Sequence, residues 1–198
     1  MKVLLFSLIP VLILYAMSVI SRNQTPEVPY SIIRKSGNFE IRLYEPVLLA
    51  SVEKRGEMMD VGSSGFRDLA HYIFGGNESG KKIAMTAPVQ FEKMDSSRTR
   101  MSFSMPSGFT MQNLPKPESE GVLLHEESGR RMAVLQFGGF AGNRGIETKA
   151  RELREWLKKE GINWSEPVIF MAYNSPWTLI GRRNEVGFVL PDGLPETQ

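Results

Sequence analysis

The chain of 198 residues contains no cysteine and only two histidines, His71 and His125. Without cysteine there are no disulfides, no thiolate metal sites, no cysteine nucleophile and no covalent cofactor attachment through C-x-x-C-H. Two histidines far apart give no zinc-type spacing, and His125-Glu126-Glu127 lacks the second histidine of H-E-x-x-H. Excess charge of one sign is also missing. The 24 basic and 22 acidic side chains leave a net charge of +2, whereas nucleic-acid binders gather Lys and Arg on one face. The acidic residues are scattered, and no carboxylate pair stands out for acid–base catalysis.

Phosphate-binding signatures are incomplete. Gly75-Gly76-Asn77-Glu78-Ser79-Gly80-Lys81-Lys82 matches G-x-x-x-x-G-K but has Lys82 where Ser or Thr would hold Mg²⁺. A helical pattern precedes these glycines and a strand follows, the reverse of a phosphate-binding loop, so the segment reads as a helix stop and a polar turn. Gly138-Gly139-Phe140-Ala141-Gly142 misses the G-x-G-x-x-G spacing. Gly62-Ser63-Ser64-Gly65 opens a helical pattern, with Ser63 or Ser64 expected as its N-cap.

What is present is ordinary globular material: 41% hydrophobic and 23% charged residues, enough for a real core. Residues 3–20 form an almost wholly apolar run between Lys2 and Arg22. At about 1.5 Å per residue such a run just spans a hydrocarbon core of about 30 Å. Residues 1–21 are therefore expected to be a signal anchor or signal peptide. As a transmembrane helix it would hold the rest of the chain at a membrane, outside the cytoplasm (the periplasm in a bacterium). Residues 22–37, with Pro26 and Pro29, are expected as a linker, residues 38–191 as the domain, and residues 192–198 as a tail.

Within the domain the apolar period alternates between two and 3.6. Phe39, Ile41 and Leu43 alternate with Glu40, Arg42 and Tyr44, a strand pattern, and a second strand follows over residues 47–52. Phe66, Leu69, Ala70, Ile73 and Phe74 stand at i, i+3, i+4, i+7 and i+8, a helical stripe ended by Gly75-Gly76. Strands are expected over residues 83–91 and 100–105. The second half repeats the plan: strands over residues 122–124 and 132–137, a helix marked by Ile146, Ala150, Leu153 and Leu157 and stopped by Gly161, then strands over residues 168–173, 177–180 and 186–190. The expected fold is α+β, with two pseudo-symmetric ββαββ halves. Their strands would form a distorted antiparallel barrel-like sheet with two helices packed outside.

Four stretches together resemble the SOUL family of haem-binding proteins. They are Phe39-Glu40-Ile41-Arg42-Leu43-Tyr44-Glu45-Pro46, Leu69-Ala70-His71-Tyr72-Ile73-Phe74-Gly75-Gly76-Asn77, Lys82-Ile83-Ala84-Met85-Thr86-Ala87-Pro88-Val89, and Ala172-Tyr173-Asn174-Ser175-Pro176 with Gly181-Arg182-Arg183-Asn184-Glu185-Val186. The resemblance implies the same two-half architecture. It also implies non-covalent binding of haem or metal-free porphyrin in a shallow apolar groove. In the family that groove lies between the first helix and the loop before the last strands, here residues 173–177. Where some members carry a histidine proposed as an iron ligand, this chain has Leu43.

These implications set the expected site. Arg67, His71 and Phe74 share one side of the first helix, and Tyr173 and Trp177 come from the loop. A cation, an imidazole and an aromatic ring suit a propionate, the iron and the porphyrin face, with His71 the expected metal ligand. The expected function is a haem or tetrapyrrole carrier, buffer or sensor, not an enzyme. Its partners would be a tetrapyrrole and, through the N-terminal segment, a membrane, with no nucleic acid. Alternative readings are a small-molecule effector-binding module of a related fold, or a tetrapyrrole-modifying enzyme.

Overall fold

The structure, a computed structural model, describes residues 25–175, 178 and 180–191. Nine strands are present: β1 (Tyr30–Ser36), β2 (Phe39–Tyr44), β3 (Val47–Arg55), β4 (Val89–Lys93), β5 (Arg98–Ser104), β6 (Leu123–Glu127), β7 (Arg130–Phe137), β8 (Ser165–Ala172) and β9 (Asn184–Val189). Helix α1 (Gly62–Ile73) follows β3, and helix α2 (Asn143–Lys159) follows β7. Every strand pairing is antiparallel, in the order β1-β2-β7-β9-β8-β4-β5-β3-β6.

The two expected ββαββ halves are β2-β3-α1-β4-β5 and β6-β7-α2-β8-β9. The sheet order is symmetric about the β8–β4 boundary. The first strand of each half pairs with the second strand of the other, β2 with β7 and β6 with β3. Each half is thus completed by the other.

Both helices pack on one face of the curled sheet, α1 against β3 and β5 and α2 against β7 and β9. Helix α2 buries Ile146, Ala150, Leu153 and Leu157, the stripe its period predicts. Helix α1 buries Gly65, Leu69, Tyr72 and Ile73. Phe74, a member of the expected stripe, is instead the C-cap of α1 and is 61% exposed. Gly75 at φ +119° and Gly161 at φ +67° end the helices in backbone conformations that side chains disfavour. The serine N-cap does not form: the cap is Val61, and Ser64 Oγ donates to the Val61 carbonyl at 3.2 Å.

The opposite, concave face has its own smaller cluster of Val28, Tyr44, Met132, Val134, Ile169 and Met171. Parity along β7 shows the two faces plainly. Ala133 and Leu135 face the helices, while Met132 and Val134 face the concavity.

Three expectations about elements need correction. The expected linker contains β1, which pairs with β2, and Val28 N donates to the Ala87 carbonyl at 3.0 Å while Ala87 N donates to the Pro26 carbonyl at 2.8 Å. Its flanking prolines and basic residues hid a short edge strand. The strand expected over residues 83–91 begins only at Val89, because Pro88 has no N–H to give to a ladder. The strand expected over residues 177–180 does not appear at Thr178 or Ile180, and its other members lie outside the described residues.

The membrane expectation is also withdrawn. Among the described residues no helix is long and apolar enough to cross a membrane. The longest, α2, has 17 residues and an apolar stripe on one side only. The apolar run of residues 3–20 lies outside the described residues, so the anchor, the transmembrane helix, the membrane partner and the extracytoplasmic location have no structural support.

Candidate functional site

Arg67, His71 and Phe74 stand at i, i+4 and i+7 on α1 and its cap, so helical geometry stacks them on one face. All three line an open depression of about 580 Å³ together with Ala70, Gly75, Gly76, Gly80 and Glu118. Three of the eight lining residues are glycines, Gly75, Gly76 and Gly80. A Cβ on Gly76 would lie 2.3 Å from His71 Nε2, so the imidazole rests where only glycine leaves room.

The turn beneath is held by Asn77, which is 1% exposed. Its Nδ2 donates to the carbonyls of Tyr72 at 3.0 Å and Lys81 at 2.8 Å, and its Oδ1 accepts from Lys81 N at 3.1 Å and Ser79 Oγ at 3.0 Å. The segment that partly resembled a phosphate loop is therefore a closed, self-satisfied turn. Connections from the long loop after β5 complete the rim. Tyr72 Oη donates to the Pro115 carbonyl at 2.9 Å, and Glu118 N donates to the Gly76 carbonyl at 3.2 Å. These bonds bring Glu118 Oε2 to 3.8 Å from His71 Nε2, both side chains exposed. Burial, with no offsetting charge, raises the Tyr72 phenol to about 12, so it stays a neutral strut.

Tyr173 lies elsewhere. On β8, Val168 and Phe170 face the helices, while Ile169 and Met171 face the concavity, and Tyr173 continues the second parity. Its hydroxyl donates to Glu185 Oε2 at 2.9 Å. Trp177 lies outside the described residues. Among the described residues, none from the loop of residues 173–177 lines the depression on α1.

Tyr173 instead belongs to a buried ionic network that sequence reasoning missed. Arg42 grips Glu185 with two parallel bonds, Nη1 to Oε2 at 2.7 Å and Nη2 to Oε1 at 2.9 Å. Both residues are 0% exposed. Arg42 Nε also donates to Glu40 Oε2 at 2.8 Å, and Nη1 to Tyr44 Oη at 3.0 Å. The guanidinium lies 4.1 Å from the centre of the Tyr30 ring. Arg183 Nε donates to Glu185 Oε1 at 3.0 Å, and its guanidinium covers the Tyr173 ring at 3.7 Å. Burial alone would lower the Arg42 pKa, but Glu185 outweighs it and keeps the guanidinium charged. Burial, reinforced by Glu185, pushes the Tyr173 phenol well above its ordinary range. The network is saturated with its own partners. The one sequence clue to it was Arg42 and Glu40 alternating with apolar residues on β2, which looks the same as a solvent-facing pattern.

His125, on β6, is half-buried apart from the depression, and burial lowers its pKa, with Arg100 adding to the effect. Among the described residues no group of three or more His, Asp or Glu side chains could hold a metal ion.

A curled antiparallel sheet of two exchanged halves, with two helices on one face, defines a duplicated α+β fold class. Residues 25–189 match the SOUL heme-binding protein family, and the chain belongs to that family, whose ligand is haem. Similar proteins include Heme-binding protein 2 of Mus musculus, 30% identical over 82% of this chain and 83% of its own, and of Homo sapiens, 32% identical over 77% and 78%. Heme-binding protein 1 of Sus scrofa is 26% identical over 81% of this chain and 90% of its own. The fold alone is shared with the EcmrR C-terminal domain, at TM-score 0.61 and 7% identity, covering 82% of this chain and 98% of that one. A structure titled as a hydrolase from Listeria innocua has TM-score 0.56 and 10% identity, covering 86% of this chain and 96% of that one.

Proposed function

We propose that the chain binds haem or metal-free porphyrin reversibly in the depression on α1, as a carrier or buffer and without chemistry on the ring. The observation that carries this reading is the alignment of Arg67, His71 and Phe74 along one depression, with the His71 imidazole seated against Gly76. Bound haem would supply the iron and the visible absorption that reports on its ligand. The protein's residues supply the rest. Phe74 offers an exposed ring to the porphyrin face, Arg67 a cation to a propionate, and His71 an imidazole toward the iron. Glu118 opposes a propionate on its own side of the depression and so favours one orientation of the ligand. A flat ring burying a few hundred Å² of apolar surface gains several kcal/mol at about 25 cal/mol per Å², before the cost of association. The binding reading is preferred to an enzymatic one because the buried ionisable groups Arg42, Glu185 and Tyr173 are already engaged with each other.

The test is absorbance and fluorescence titration with haem and with metal-free protoporphyrin. Wild-type affinities for the two should agree within about tenfold, since apolar contact dominates. His71→Ala should shift the Soret band of the haem complex while sparing porphyrin binding. Phe74→Ala should weaken both ligands, and Arg67→Ala should weaken both by a few-fold, as expected for an exposed charge worth about 0.2–1 kcal/mol. Gly76→Val should reproduce the His71→Ala spectrum by displacing the imidazole. Unchanged spectra and affinities in all four variants would remove the site from this helix.

A further inference from the structure

A second cavity is larger than the first and has no cationic side chain in its lining. It is a groove of about 690 Å³ at the end of the sheet, between the lead-in to β1, the β2–β3 turn and the loop after β5. This lies within the range typical of small-molecule sites, about 300–1,000 Å³. Its apolar lining includes Val28, Val47, Leu48, Met105, Phe109 and Met111. Pro26, Pro29, Pro46 and Pro106 also line it and stiffen its backbone walls, so little conformational freedom is lost on filling it.

The charged groups lining the groove are all carboxylates: Glu27, Glu45 and Glu126. Glu27 is neutralised by Arg183 at 2.9 Å. Glu45 and Glu126 have no ion-pair partner among the described residues. Glu126 sits directly opposite Leu48 across the β3–β6 ladder, and Glu45 precedes Pro46 on the turn. The two free carboxylates therefore stand beside the apolar floor.

We propose that this groove is a separate binding site for an organic cation carrying aromatic or branched alkyl groups, such as a quaternary ammonium. Apolar walls take the hydrocarbon, and the exposed carboxylates of Glu45 and Glu126 take the charge at the rim. A dianionic ligand such as haem meets no cation in this lining and two unneutralised carboxylates, so the groove disfavours the anion that Arg67 on α1 could receive. The inference stands whether or not α1 holds the tetrapyrrole.

The experiment uses the full chain with ¹³C-methyl methionine and NMR. Benzyltriethylammonium is titrated, with 4-tert-butylbenzoate as an anion of similar bulk. The expected result is saturable shifts of the Met105 and Met111 methyl signals with the cation only. Glu45→Gln with Glu126→Gln should weaken the cation by about two- to fivefold for each carboxylate. Glu45→Asp with Glu126→Asp should restore most of the affinity. Should the glutamine pair not fold, raised salt on the wild type must produce the same weakening. No shift at either methyl, equal binding of the anion, or salt-independent cation binding would each overturn the proposal.

Discussion

Arg42 and Glu40 show how a residue's surroundings set its energetics. A fully buried guanidinium is tolerable only because Glu185, Glu40 and Tyr44 satisfy it in fixed geometry. Removing one partner of such a pair leaves an uncompensated buried charge. Arg42→Ala should therefore cost about 3–5 kcal/mol in urea unfolding, whereas Arg34→Ala, which breaks a partly exposed pair with Glu160, should cost about 1 kcal/mol or less. Equal losses would show that the network is not what stabilises the concave face. Glu40 adds a pH dependence. Burial raises its pKa, but hydrogen bonds from Lys35 and Arg42 outweigh burial and leave it below its ordinary 4.5. Its folded value is depressed, so its contribution is complete above the unfolded value and lost as pH falls through the folded one. The stability gap between wild type and Glu40→Gln should be present at neutral pH and close in the acid range below 4.5. A gap that persists to about pH 2 would contradict the assigned ion pair.

At the scale of elements, α1 is fixed by how closely it approaches the sheet. A Cβ on Gly65 would lie 2.8 Å from Met101 Sδ and 3.4 Å from Val52 Cγ2, so the helix reaches β3 and β5 because this position has no side chain. A bulky residue here must lift the helix. Gly65→Leu should cost about 1–3 kcal/mol by overpacking. Gly145→Ala on α2, with open space around its Cβ, should be neutral or gain up to about 1 kcal/mol from helix propensity. Thermal unfolding of both variants tests this, and a harmless Gly65→Leu would mean that the helix is not clamped there. The same clamp bears on the candidate site, since Arg67, His71 and Phe74 take their direction from the orientation of α1.

At the scale of the molecule, strand exchange dominates. β2 completes the second half and β6 completes the first, so neither half can close its sheet alone. Unfolding should be a single transition. Trp156 and Trp164 report on the second half by fluorescence, far-ultraviolet circular dichroism reports on both halves, and the midpoints should coincide. Two separated transitions, or a stable fragment ending before β6, would refute the coupling.

Much of this architecture was legible in one dimension. Periods of two and 3.6 marked strands β2 to β9 and both helices in order, but missed β1 and added a strand over residues 177–180 that is absent at Thr178 and Ile180. The Ile146–Leu157 stripe gave the buried face of α2, and the repeated pattern gave the two halves. Helical spacing alone put Arg67, His71 and Phe74 on one face. The sequence could not say that both sides of a strand would be covered. Glu40, Arg42 and Glu185 look solvent-facing, and Leu43 looks buried. The curled sheet covers its concave face and leaves Arg42 0% exposed, while Leu43, on the helix-side parity of Ile41, is 45% exposed. Family likeness places Tyr173 at the α1 site, and strand parity sends it to the opposite face. Local periodicity reports only which residues alternate. The closure of a sheet on itself is a long-range event, set by which strands exchange, and it decided which face became interior and which residues met there.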